Sequence, residues 1–210
     1  MRIQAHRQQS PREISFSDEE LKDLLIAWVA LGVAFALFFG GGGTVLGDPG
    51  WFIVLFLVSM VTAGIGFLLH ELAHKVVAIR FGQQAAFKAN YQMLVLAVLA
   101  GLGGFIFAAP GAVYHRGRIT ERENGIIAVA GPVTNLVLGF AFLPFLVFPG
   151  FLGLVGIYGV LINFFLAAFN MIPFGPLDGR KVLTWSVSMF AVTFVVSLAL
   201  TALAVVGLLL

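Results

Sequence analysis

Residues 91–118 read YQMLVLAVLAGLGGFIFAAPGAVYHRGR, and how this stretch meets a membrane decides the fold. The apolar part, 91–109, approaches the ~20 residues needed to cross ~30 Å of hydrocarbon. Gly101, Gly103, Gly104, Pro110 and Gly111 make it a poor continuous helix. All twelve Lys and Arg residues lie in four segments: 2–22, 75–88, 116–122 and 180–181. The loops near 40–50 and 149–151 carry none. Under the positive-inside rule the four basic segments share the cytoplasmic side. That holds only if 91–109 enters the membrane and returns, since a full crossing would strand Arg116, Arg118 and Arg122 on the far side.

The rest of the chain agrees with a membrane solvent. Of its 210 residues 60% are hydrophobic and 10% charged, and the mean hydropathy is +1.03. A water-soluble domain carries roughly 25% charge. A net charge of +2 gives no field that favours nucleic acid. The absence of cysteine excludes disulfides, thiolate zinc sites and thiol catalysis. Further apolar runs occupy about 24–39, 51–74, 125–148, 152–172 and 184–210. The expected fold is an all-α polytopic membrane protein of five to six transmembrane helices, with a re-entrant or short β element between the first two core helices. Five spans put the N-terminus inside and the C-terminus outside.

Two regions follow. Residues 1–23 form a polar cytoplasmic segment with five carboxylates, read as a solvated tail. Ser17 and Glu20 have capping-box spacing, which predicts a helix start there. Residues 24–210 form one transmembrane domain. The Gly47-Asp48-Pro49-Gly50 turn separates its first two spans, with Asp48 read as a turn residue.

Polar atoms within such a chain need an account. His70-Glu71-Leu72-Ala73-His74 is an H-E-x-x-H motif near the end of an apolar run. On a helix the two imidazoles fall one turn apart on the same face, where they can bind one metal ion with Glu71 beside it as a base. Three ionisable groups within five residues of a membrane helix need partners, which argues against satisfied, inert histidines. If the helix enters at Trp51, His70 lies roughly 28 Å along its axis. The metal then sits inside the bilayer near the cytoplasmic face, with Lys75 and Arg80 at the headgroups.

Catalytic zinc takes three protein ligands and an open position. His6, in the tail, and His115, in a basic segment, read as surface residues. Beyond Glu123 the one carboxylate is Asp178. Its competing reading is an ion pair with Arg180 or Lys181. Pro173 and Pro176 forbid a regular helix before it, so unwound backbone can turn the carboxylate towards the histidines. In a six-span arrangement Asp178 would lie on the side opposite His74, so charge and metal ligation select the same topology. Asn170 either orients a ligand or donates to a substrate carbonyl, or else forms a hydrogen bond that holds the helix break.

These residues resemble the site-2 protease family of intramembrane zinc metalloproteases. The matching features are His70-Glu-Leu-Ala-His74, Asn170-x-x-Pro173 leading to Leu177-Asp178-Gly179, and Gly131-Pro132-Val-Thr-Asn135 between them. The resemblance covers about 51–185, the expected catalytic core. It implies one zinc ion held by His70, His74 and Asp178, with Glu71 as catalytic base. It implies substrate-binding or ligand-orienting roles for Asn135 and Asn170, and a membrane-entering element between the first two core spans. It implies cleavage of peptide bonds within or near transmembrane segments of substrate proteins, in the cell membrane, from an active site opening to the cytoplasm. Arg180 stands where the family often has a second glycine, which touches local geometry more than the ligand. The chain resembles a minimal form without PDZ or nucleotide-sensing (CBS) domains, and residues 107–114 resemble archaeal members.

A substrate helix must unwind before attack, and a strand-like edge at 85–92 or 111–119 could hold it by β-addition. A purely structural hairpin accounts for both stretches equally well. The chief alternative function is a membrane zinc transporter or sensor. Transporters place polar groups along a path through the midplane, whereas here they gather near one face. Histidine-rich metal oxygenases need more than four histidines, and other membrane H-E-x-x-H proteases recruit a later Glu that this chain lacks. An inactive scaffold that keeps the metal site is a further alternative.

Overall fold

The computed structural model describes residues 14–106 and 110–209. Residues 1–13, with His6, lie outside the described residues, as do 107–109 of the apolar run. Among the described residues five helical stretches are long and apolar enough to cross a membrane: Asp18–Phe39, Pro49–Arg80, Glu121–Val147, Phe151–Asn170 and Val187–Leu208.

The first of these, α1 (Asp18–Phe39), starts where Ser17 Oγ accepts the Glu20 N–H at 3.1 Å. Only half of the capping box forms, because the Glu20 carboxylate is used elsewhere. It lies buried against Lys75 Nζ, at 2.7 Å for Oε1 and 2.6 Å for Oε2. Lys75 Nζ also donates to the Ser15 carbonyl and stands 3.7 Å from the Phe16 ring centroid. The picture of a solvated tail is corrected here for residues 15–23. Residues 18–23 are the first turns of α1, and Ser15, Phe16 and Glu20 pack onto the helix that carries the histidines. Lys75 is only 2% exposed. It stays inside because a carboxylate, a carbonyl and an aromatic face replace its hydration.

The second stretch begins with Asp48, whose Oδ1 accepts the Trp51 N–H at 3.0 Å, so Asp48 is a helix cap ahead of Pro49. It runs as α2 (Pro49–Ser59), a π turn (Met60–Gly64) and α3 (Ile65–Arg80). The Met60 carbonyl at this wide turn accepts Trp28 Nε1–H of α1 at 2.9 Å. A π turn inserts one residue and so resets the rotational phase of the histidine-bearing helix.

Strands β1 (Gln84–Ala89) and β2 (Gly111–Arg116) pair antiparallel, with Ala89 opposite Gly111. Asn90 N–H donates to the Pro110 carbonyl at 2.9 Å. The two ends of 90–110 therefore lie side by side, and the segment goes in and comes back. Within it α4 (Tyr91–Leu102) has 12 residues, about 18 Å, too short to span the hydrocarbon. It lies along α1: Tyr91 Oη–H donates to Asp23, and Gly101 sits where a Cβ would strike the Ala34 carbonyl. Among the described residues the fold therefore offers five helical stretches able to span a membrane, and the ribbon holds the two ends of 90–110 on the same side.

Helix α5 (Glu121–Phe142) opens with a complete Thr120/Glu123 capping box and contains Pro132. It packs between α3 and α6 (Phe151–Asn170). After α6 the chain is irregular through Leu177 and resumes as α7 (Asp178–Trp185), then α8 (Val187–Leu209). Val192, Val195 and Leu203 of α8 face outward, which suits lipid contact.

Candidate metal centre

Helical spacing brings His70 and His74 of α3 together with their Nε2 atoms 2.9 Å apart and their rings near perpendicular. Asp178, the first residue of α7, completes a triangle: its Oδ2 is 3.3 Å from His70 Nε2 and 3.1 Å from His74 Nε2. Ligands about 2.0–2.1 Å from a tetrahedral zinc stand roughly 3.3 Å from one another, so the three atoms are spaced for one ion. Asp178 Oδ1 lies 3.4 Å from Lys181 Nζ. The competing ion-pair reading thus holds for the outer oxygen while the inner one faces the histidines. Arg180 is exposed on α7 and touches none of these groups.

The protonation pattern follows from the outer partners. His70 Nδ1 is 2.5 Å from Asn135 Oδ1, and His74 Nδ1 is 2.7 Å from the Ile127 carbonyl. The Asn135 amide is oriented in turn: its Nδ2 donates to the Gly66 carbonyl at 3.2 Å and to Asn163 Oδ1 at 3.0 Å. Asn163 Nδ2 donates to the Gly159 carbonyl at 2.9 Å. Both imidazoles therefore meet acceptors at Nδ1 and carry their proton there, which leaves the Nε2 lone pairs free. Two lone pairs and a carboxylate oxygen converge on one buried point. This donor set fits zinc, and His70, Glu71 and His74 together also form a group able to hold a metal.

Small residues make the approach feasible. A Cβ on Gly131 of α5 would stand 2.5 Å from both His70 Nε2 and His74 Nε2. One on Gly179 would strike the Met171 backbone, against which the start of α7 is seated. The glycines of Gly131-Pro132 and Asp178-Gly179 are thus steric requirements of the centre.

Glu71 is not one of the three converging atoms but stands beside them, a carboxylate oxygen within 4.8 Å of the histidine ligand atoms, and its Oε2 accepts the Val113 N–H of β2 at 3.0 Å. A cavity of about 120 Å³ lies between β2, α3 and α7, bordered by the two histidines, Glu71 and Asp178. It has room for several water molecules. Asn170 borders it but donates Nδ2 to the Leu166 carbonyl one turn back in α6, at 2.9 Å. Of its two readings, the geometry displays the bond that holds the helix end. His115 is half-buried in the cavity wall rather than on the surface. Burial holds its imidazole below the ordinary histidine range, and the charge of Lys181 acts in the same direction.

The structure thus gathers His70, Glu71, His74, Asp178 and Asn135, leaves Asn170 at the wall, and adds Asn163 and Gly131. A lone amide inside an apolar run is the signal that could have singled out Asn163.

Fold and site together define a protein with five helices able to span a membrane and a candidate metal centre built from two separate helices. No family model and no solved structure matches the chain. It is 41% identical over 182 residues to "Putative zinc metalloprotease MJ0611" of Methanocaldococcus jannaschii, an alignment covering 84% of this chain and 90% of that one. It is 30% identical over 148 residues to "Putative zinc metalloprotease YwhC" of Bacillus subtilis, covering 59% of this chain and 66% of that one. The chain belongs to the zinc metalloprotease family of these proteins.

Proposed function

We propose that this protein is an intramembrane zinc endopeptidase of the site-2 protease type, which hydrolyses peptide bonds within or near transmembrane segments of other proteins. The observation that carries the reading is the meeting of His70, His74 and Asp178 at the end of apolar spans, with Glu71 alongside. His70, His74 and Asp178 would hold the zinc. When bound there, zinc would supply Lewis-acid activation of water and of the scissile carbonyl. Glu71 accepts the proton of the attacking water and delivers it to the leaving amine. Asn135, itself held by Asn163, keeps the His70 ring in its ligating orientation.

The ribbon supports a binding mode. Phe87 N–H donates to Glu20 Oε1 and Ala89 N–H to Asp23 Oδ2, each at 2.9 Å, so carboxylates of α1 close the outer edge of β1. The outer edge of β2 borders the cavity instead. Of the two candidate stretches, 111–119 is the one able to take an unwound substrate by β-addition. Arg80 ends α3 six residues after His74, Arg122 lies in the first turn of α5 ahead of Ile127, and Arg180 follows Asp178 in α7. This favours an active site opening to the cytoplasm.

The test is cleavage of a reporter transmembrane segment by purified protein, with and without a chelator. Glu71→Gln is expected to abolish cleavage while zinc stays stoichiometric. Asp178→Ala is expected to lower zinc occupancy. Zinc flux into liposomes without cleavage would instead establish a transporter.

A further inference from the structure

The Val113 amide has two claimants. In an antiparallel pair, facing residues alternate between exchanging both hydrogen bonds and exchanging none. Phe87 and Ala89 give their N–H groups to Glu20 and Asp23, away from β2. Their partners across the ribbon, Val113 and Gly111, therefore point their N–H groups away from β1 and into the cavity. Val113 N–H already has an acceptor there, Glu71 Oε2 at 3.0 Å. A strand added to β2 needs that same N–H for one of its own carbonyls. One N–H cannot serve both at full strength, because hydrogen bonds weaken steeply as they bend from linear.

We infer that Val113 N–H is a latch on the general base. In the substrate-free protein it holds the Glu71 carboxylate against the edge of β2. An extended substrate backbone that pairs with β2 takes the N–H over and releases Glu71 into the cavity. The latch responds to unwound backbone and not to side-chain identity, since a helical segment keeps its carbonyls for its own amides. Val113 is thereby a positioning residue that acts through Glu71. This rests on the proteolytic reading above and adds to it the condition under which the base becomes free.

The experiment uses zinc-loaded protein in lipid nanodiscs, with glutamate isotope-labelled at the carboxylate. The Glu71 infrared band is isolated by subtracting the spectrum of Glu71→Gln. The probe is a peptide from the cleaved reporter segment with its scissile amide replaced by a ketomethylene group. Peptide binding is expected to shift the Glu71 band to that of a carboxylate released from a backbone donor. Val113→Pro removes an N–H that takes no part in the β1–β2 hydrogen bonds. It is expected to give the same shifted band without peptide, and peptide then adds no further shift. KM for the reporter rises about fivefold, the loss of one hydrogen bond. If the proline variant does not fold, the α-hydroxy acid analogue of Val113 removes only the N–H and is held to the same outcome. A peptide that binds while the Glu71 band stays put overturns the latch and leaves the proteolytic reading standing. A protein that neither cleaves the reporter nor binds the peptide overturns both.

Discussion

Asn135 and Gly131 act by opposite means: Asn135 holds His70 by contact, and Gly131 leaves room for both imidazoles. Removing the Asn135 amide frees the His70 ring and its tautomer. Asn135→Ala is expected to weaken zinc binding about 10–100-fold, read by competition with a chromophoric chelator. Asn163→Ala should move the same measurement in the same direction by less, since it touches His70 only through Asn135. Gly131→Ala places a methyl group 2.5 Å from both Nε2 atoms. It should empty the site of zinc while circular dichroism shows the helices intact. Arg180→Gly, which restores the family's second glycine, should leave zinc content unchanged, because the Arg180 side chain faces outward. The convergence of Asp178 with the two histidines was foreseeable because the chain offers no other carboxylate beyond Glu123. Asn163 was not, since nothing within its own helix tells an orienting amide from one bonded to its own backbone.

At the scale of elements, the Lys75–Glu20 pair fastens α3 to α1. It lies one residue beyond His74, and its carboxylate also receives an amide of β1. Breaking a buried pair by deleting one partner strands the other charge, at a cost of about 3–5 kcal/mol. Lys75→Met should lower stability by that order in reversible detergent unfolding. Combining it with Glu20→Gln should recover part of the loss, as expected for coupled sites. Position in the chain suggested that Lys75 reaches the headgroups, because its partner lies 55 residues away and no local pattern announces it. The π turn at Met60–Gly64 is similarly silent: its residues differ in no way from those of an ordinary apolar helix. The strands were legible in outline, 85–92 and 111–119 against the observed 84–89 and 111–116. Polar and apolar residues mix there between runs that are otherwise apolar.

For the molecule as a whole, the pairing of Ala89 with Gly111 forces an odd number of crossings. Single cysteines at Gly47 and Gly150 should react with an impermeant maleimide from one side of sealed vesicles. Cysteines at Arg118 and Arg180 should react from the other. A six-span chain would put Gly47 and Gly150 on opposite sides, so labelling of those two from opposite sides would refute the arrangement. Glycine content and basic loops sufficed to foresee a segment that turns back. They did not foresee that its helical arm would lie along α1, because that packing depends on Gly101 meeting a carbonyl of Ala34.

The ribbon has one flank sealed by acidic side chains of α1 and the other facing the cavity. A two-stranded edge open on both flanks would let copies of the protein stack into a growing sheet. Glu20 and Asp23 block such growth on one side, so under the proposed binding mode each molecule would admit a single guest chain, and crowding in the membrane would raise occupancy without seeding fibres.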